Sequence, residues 1–183
     1  MKIINKILLI VLVLIFSGCT KNKKVGMNTL KEDIKTQSEW IVEAFKQDGY
    51  KLDYSINSFI EIDRFFEDNS LNGEPVKEGR LETNSGLIVF SIASYIGETF
   101  IRTTQNAKWI TDDSDPNGEI NISIEFGDGA ICWPAQKVIK RYKNGFEDAI
   151  YMYGYIMTKD MLNIEFDNSF WELNNNIKST PWE

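Results

Sequence analysis

The sequence predicts an α+β domain, a small antiparallel sheet packed against several helices, and three observations carry that prediction. Apolar residues recur at helical spacing both before and after the middle of the chain. Glu119 to Phe126 (EINISIEF) alternates polar and apolar side chains, the period of a half-buried strand. Gly127-Asp128-Gly129 follows directly as a hairpin turn, with Ala130 to Trp133 as the returning strand. Helices, then strands, then helices in blocks is the order of an α+β domain.

Asn28 to Asp48 places Leu30, Ile34, Ile41, Ala44 and Phe45 broadly on one face of a helix, with Asn28 as its cap and Gly49 as its stop. Tyr50 to Ile56 (YKLDYSI) reads as a short strand. Ser58 with Glu61 three residues on is a capping-box signature, opening a helix through about Glu67 with Phe59, Ile62, Phe65 and Phe66 inside. Asp68 to Asn84 lacks any period, and Gly73, Pro75 and Gly79 make it an exposed loop.

Ser85 to Thr104 is apolar nearly all round, the pattern of a central buried helix, and Ala93 with Gly97 would let another element approach it closely. Lys108 to Thr111 reads as a strand. In Glu119 to Phe126 the inward side chains are Ile120, Ile122, Ile124 and Phe126. Pro134 opens a helix that ends at Asn144-Gly145. A further helix runs from Phe146 to about Met157, Leu162 to Phe166 is a last strand, and an asparagine-rich tail follows.

The start of the chain carries an address. Lys2 and Lys6 precede an unbroken apolar run from Ile7 to Phe16, then Ser17, Gly18 and Cys19. That is a signal-peptide layout, shorter than the roughly 20 apolar residues of a spanning helix. Ser-Gly-Cys resembles the lipobox of bacterial lipoproteins, with Phe16 standing where leucine is usual. The resemblance implies cleavage after residue 18 and acylation of Cys19. The alternative is an ordinary signal peptide or short anchor. Residues 19–27 are then the lipidated cysteine and a polar tether, and residues 28–183 a single domain. Acyl chains would hold the protein on a cell-envelope membrane, each buried methylene contributing about 0.8 kcal/mol. Thr20, in place of an aspartate, points to the outer membrane where the cell has one.

Five of the 20 basic residues are lysines that precede Asn28, which leaves 15 against 27 acidic groups and a net charge of −12. A domain that acidic lacks the positive footprint nucleic acid requires. With Cys19 lipidated, Cys132 is the one remaining thiol, so no internal disulfide forms. Forty-three per cent apolar and 13 % aromatic content supplies a core instead of disorder.

The chain contains no histidine, which removes Ser-His and Cys-His nucleophile pairs, His-ligated zinc and the HExxH helix together. Cys132 lies between Ile131 and Trp133 and reads as a small buried hydrophobe, with Lys137 the one nearby cation able to activate it. Glu98, on the apolar helix, is the carboxylate whose surroundings best suit a raised pKa; a pair with Arg102 four residues on is the plainer reading.

Asp113-x-Asp115-x-Asn117-Gly118 matches the first half of a calcium-binding EF-hand loop. The second half fails, because position twelve is Ile124 where a bidentate glutamate belongs. Asp-Pro and Asn-Gly form turns on their own account, so a turn is the main expectation and a calcium site a weak one. Lys137, Lys140, Arg141 and Lys143 cluster late in a helix, where cations complement its negative end. The alternative is a basic interaction patch of Trp133, Lys137, Lys140 and Arg141, suited to an acidic partner or an anionic polymer.

"IDRFF" at Ile62, "ASYIGE" at Ala93, "KWITDD" at Lys108, "DPNGEIN" at Asp115, "CWPAQKVIKRYKNGFED" at Cys132 and "YGY" at Tyr153 together resemble an uncharacterised family of bacterial domains of unknown function, over about Phe59 to Gly154. The resemblance implies a shared α+β fold and no assigned activity.

These readings converge on a lipid-anchored envelope protein whose acidic, non-enzymatic domain binds a protein partner, in an immunity or assembly role. The second expectation is a carboxylate enzyme on envelope polysaccharide, using Glu98 and the Asp112–Asp115 cluster.

Overall fold

The computed structural model describes residues 28–178, with side chains through residue 173. Cys19, the expected signal peptide and tether, and residues 179–183 lie outside the described residues. Helix α1 runs Leu30–Gln47, and its cap is Thr29 instead of the expected Asn28. Thr29 and Glu32 form a reciprocal capping box, whose bonds hold the Glu32 carboxyl below its usual range. Ile34, Ser38, Ile41 and Phe45 face inward, and Gly49 leaves the helix in the left-handed region at φ 90°.

The expected strand at Tyr50 to Ile56 is absent. Tyr54 sits at φ 61°, outside any strand geometry, because its N–H donates to the buried Tyr95 hydroxyl at 2.7 Å and its ring lies under the Arg102 guanidinium. Helix α2, Phe59–Asn69, also starts differently from expectation. The Ser58 hydroxyl donates to the Ser55 carbonyl at 2.6 Å and meets the Tyr95 hydroxyl, so it caps nothing.

The segment after α2 is mostly exposed, as expected, but it holds a two-stranded hairpin, β1 (Ser70–Leu71) and β2 (Glu74–Pro75). Its Leu81 is buried and pins the remainder to the core.

Helix α3, Ser85–Thr103, is the central element, with eleven of its residues buried. Helix α1 packs along one side of it and α5, Pro134–Asn144, along another. Gly97 is the close approach that the sequence predicted: a Cβ there would fall 2.0 Å from the Trp109 indole. Trp109 belongs to β3 (Lys108–Ile110), which pairs antiparallel with β4 (Ser123–Glu125), and β4 with β5 (Ile131–Cys132).

The predicted strand at Glu119 to Phe126 is shortened. Gly118–Asn121 coils into the single turn α4, which leaves Ile120 exposed, while Ile122, Ile124 and Phe126 are buried as expected. Phe126 N–H then bonds the Ala130 carbonyl across the predicted hairpin turn.

A 3-10 turn, Gly145–Asp148, leads into α6, Ile150–Leu162, which packs on α2. Leu162 to Phe166 forms no strand: Asn163 is left-handed at φ 49°, and Phe166 joins Tyr151, Tyr155, Phe170 and Trp171 in an aromatic cluster. The asparagine-rich tail coils into α7, Ser169–Lys178. Among the described residues the result is one α+β domain, with a three-stranded and a two-stranded antiparallel sheet against the helices. None of its helices is long and apolar enough to cross a membrane.

Candidate functional site

The acidic run at Thr111 to Gly118 is a turn that closes on itself and on α1. Asp112 Oδ1 accepts from the N–H and hydroxyl of Ser114, which holds its carboxyl below the usual range. Asp115 accepts from the Asn117 N–H at 2.8 Å and from the Asn121 amide at 2.7 Å. Asp113 accepts from Leu30 N–H at 2.6 Å, a cap on α1 supplied from another part of the chain. Asp112, Asp113 and Asp115 do line a shared cleft of about 410 Å3 with Asp33 and Glu119. Each of the three carboxylates accepts hydrogen bonds from protein groups, and among the described residues no three side chains are grouped as metal ligands would be.

Glu98 is not in an apolar pocket. One oxygen accepts from the Trp109 indole at 2.9 Å, and the other lies 3.7 Å from Arg102, the pairing the sequence made plainest. The cleft lined by the Asp112–Asp115 cluster does not include it. Cys132 is buried against the Tyr153 hydroxyl, and desolvation pushes its thiol up to about 11. Lys137 is turned away from activating it, held at 2.8 Å by Asp148.

The expected patch of Trp133, Lys137, Lys140 and Arg141 is broken up. Trp133 and Lys140 are exposed, but Arg141 is the largest fully buried side chain of the core. Its Nε donates to Asp63 Oδ1 at 2.7 Å and an Nη donates to Glu67 at 2.5 Å. Asp63 also accepts the Ile150 and Tyr151 N–H groups at 3.0 and 2.8 Å, so it caps α6 from α2. Desolvation pushes the Asp63 carboxyl above its ordinary range, against the opposing pull of Arg141 and the two N–H groups. Arg141 is thus a structural ion-pair residue of the core, spent on joining α2, α5 and α6.

A different site emerges where the sequence showed only a loop. A groove of about 390 Å3 lies between α1, the start of α3 and residues 78–84. Phe45, Phe65, Ile41 and Ile88 contribute buried apolar surface, whereas Trp40 and Leu87 stand 44 % and 45 % exposed on its walls. The loop is held by specific bonds. Arg80 N–H donates to Asn69 Oδ1 at 2.8 Å, Glu78 N–H donates to Glu82 at 2.8 Å, and the Arg80 guanidinium pairs with Asp48 at the end of α1.

Such a concave surface, apolar on the helix side and polar along the 78–84 loop, is where small ligands or partner side chains bind. Trp40 was the readable clue: it lies on α1 away from the stripe of Ile34, Ile41 and Phe45, yet is a large aromatic. Glu78, Arg80 and Glu82 gave no signal, because nothing local in the sequence brings that loop beside α1. Comparison with protein families, with curated proteins and with solved structures gave no match to this chain, so the family resemblance rests on the quoted motifs alone.

Proposed function

We propose that this is a lipid-anchored envelope protein whose acidic domain binds a protein partner through the groove between α1 and α3, without catalysing a reaction. The observation that carries the reading is the pair Trp40 and Leu87, two large apolar side chains held half in solvent on the walls of one groove. Exposed aromatic anchors beside a concave surface are the usual centre of a protein interface. The side chains named from sequence for chemistry support the same reading. Glu98, Cys132 and Asp113 are each engaged in bonds or burial that stabilise the fold.

Anchoring at Cys19 would place the domain on the envelope surface, and a net charge of −12 from residue 28 onward would favour encounter with a basic partner. An immunity or assembly role fits those terms. The test is capture from native envelope and secreted extracts by the full chain, beside the double variant Trp40→Ala, Leu87→Ala. A protein retained by the wild type and lost with the double variant supports the reading; equal retention by both defeats it.

A further inference from the structure

The groove's polar rim is more specific than its walls. Asp48, Glu78 and Glu82 face one cation, Arg80, and Arg80 is paired with Asp48. Two carboxylates, Glu78 and Glu82, therefore remain without a cationic partner among the described residues, beside an exposed indole. Glu82 uses one oxygen to accept the Glu78 N–H, which leaves the other able to accept a further hydrogen bond.

Resting on the binding role proposed above, we infer that the groove takes a lysine or arginine side chain of the partner together with an adjacent apolar residue. The apolar neighbour would cover Leu87 and Ile88. The basic residue's methylene stem would lie along the Trp40 ring, and its charged head would reach Glu78 and Glu82. A volume of about 390 Å3 is near the small end of ligand cavities, which run from about 300 to 1,000 Å3, and suits one or two side chains. The rim's charge disfavours an anionic ligand, since an anion would meet two carboxylates with the local guanidinium already paired.

The experiment titrates the full chain in detergent with a short acetylated, amidated peptide of alternating leucine and lysine. Parallel titrations use the same peptide with glutamine, and then glutamate, for every lysine. The lysine peptide should bind, the glutamine peptide about tenfold more weakly, and the glutamate peptide not at all. Trp40→Ala and the pair Glu78→Gln, Glu82→Gln should each weaken the lysine peptide about tenfold, with Ile156→Ala, exposed on α6, as an unchanged control.

Absence of binding, equal binding of the glutamine peptide, or loss in Ile156→Ala equal to that in the groove variants would overturn the inference. A photo-crosslinking residue at position 40, and separately at 133, in cells keeps the two readings apart. Crosslinks to a protein from 40 with no peptide binding would overturn the inferred occupant and leave partner binding in the groove standing. Crosslinks from 133 alone would overturn the groove in both readings. No crosslink from either position, with no peptide binding, would overturn both.

Discussion

The carboxylate of Asp113 accepts a hydrogen bond from the backbone N–H of Leu30 at 2.6 Å, across 83 positions of sequence. An acidic run with the opening spacing of a calcium loop is thus spent on the positive end of a helix. Asp113→Ala should cost about 1 kcal/mol of folding stability, within the range of lost N-terminal caps. Denaturant unfolding of the full chain measures it. Calcium and a chelator should leave the wild-type midpoint unchanged; a midpoint raised by calcium would restore the cation site.

The Asp63–Arg141 pair joins three helices out of reach of water. Arg141→Met should cost about 3–5 kcal/mol, because it strands a buried carboxylate. Asp63→Leu should cost at least as much, since it also leaves the Ile150 and Tyr151 N–H groups unpaired. Equilibrium unfolding checks both; a loss under 1 kcal/mol in either would show that the site relaxes to admit water.

Gly97→Ala should destabilise by about 1–3 kcal/mol, because its methyl would occupy the space of the Trp109 ring. Near-ultraviolet circular dichroism should change with it, as the indole is displaced from its bond to Glu98.

The Cys132 thiol, pushed up by burial to about 11, should resist thiol reagents in the native protein at pH 8. Only roughly one molecule in a thousand would carry the thiolate there, and the group is also inaccessible. Labelling should keep pace with unfolding as denaturant is added. Rapid labelling without denaturant would mean an accessible, activated sulfur.

Asp148 gives the acid dependence. Lys137 first, then Asn144, hold its carboxyl below the usual range. The folded state therefore binds this proton less readily than the unfolded chain. Its stabilisation is fully present above the ordinary aspartate pKa of about 4 and fades as pH falls through the lowered folded value. Asp148→Asn should lower stability at neutral pH and flatten the loss between about pH 5 and 2.

Local pattern made most helices legible: the stripe of α1, the all-round apolar α3, and Pro134 with Asn144-Gly145 at the ends of α5. What stayed hidden was set by distant partners. Tyr54 is bent out of a strand by Tyr95, and Ile120 is left outside because α4 coils the chain before β4 begins. The site followed the same rule. Arg141 read as a surface cation because its cluster sits late in a helix, and only the packing of α2 beneath α5 and α6 shows it to be core. The groove needed a loop and two helices brought together, a relation that no window of sequence contains.

The bond between Asp113 and Leu30 also has a mechanical consequence. Any pull along the chain before Asn28 reaches Thr29 and Leu30 first, and there it divides. One share runs down the axis of α1. The other crosses into the Asp113 turn, close to where Leu30 also rests against Gly118. The domain would meet tension at two fastenings instead of unwinding α1 one turn at a time from its free end.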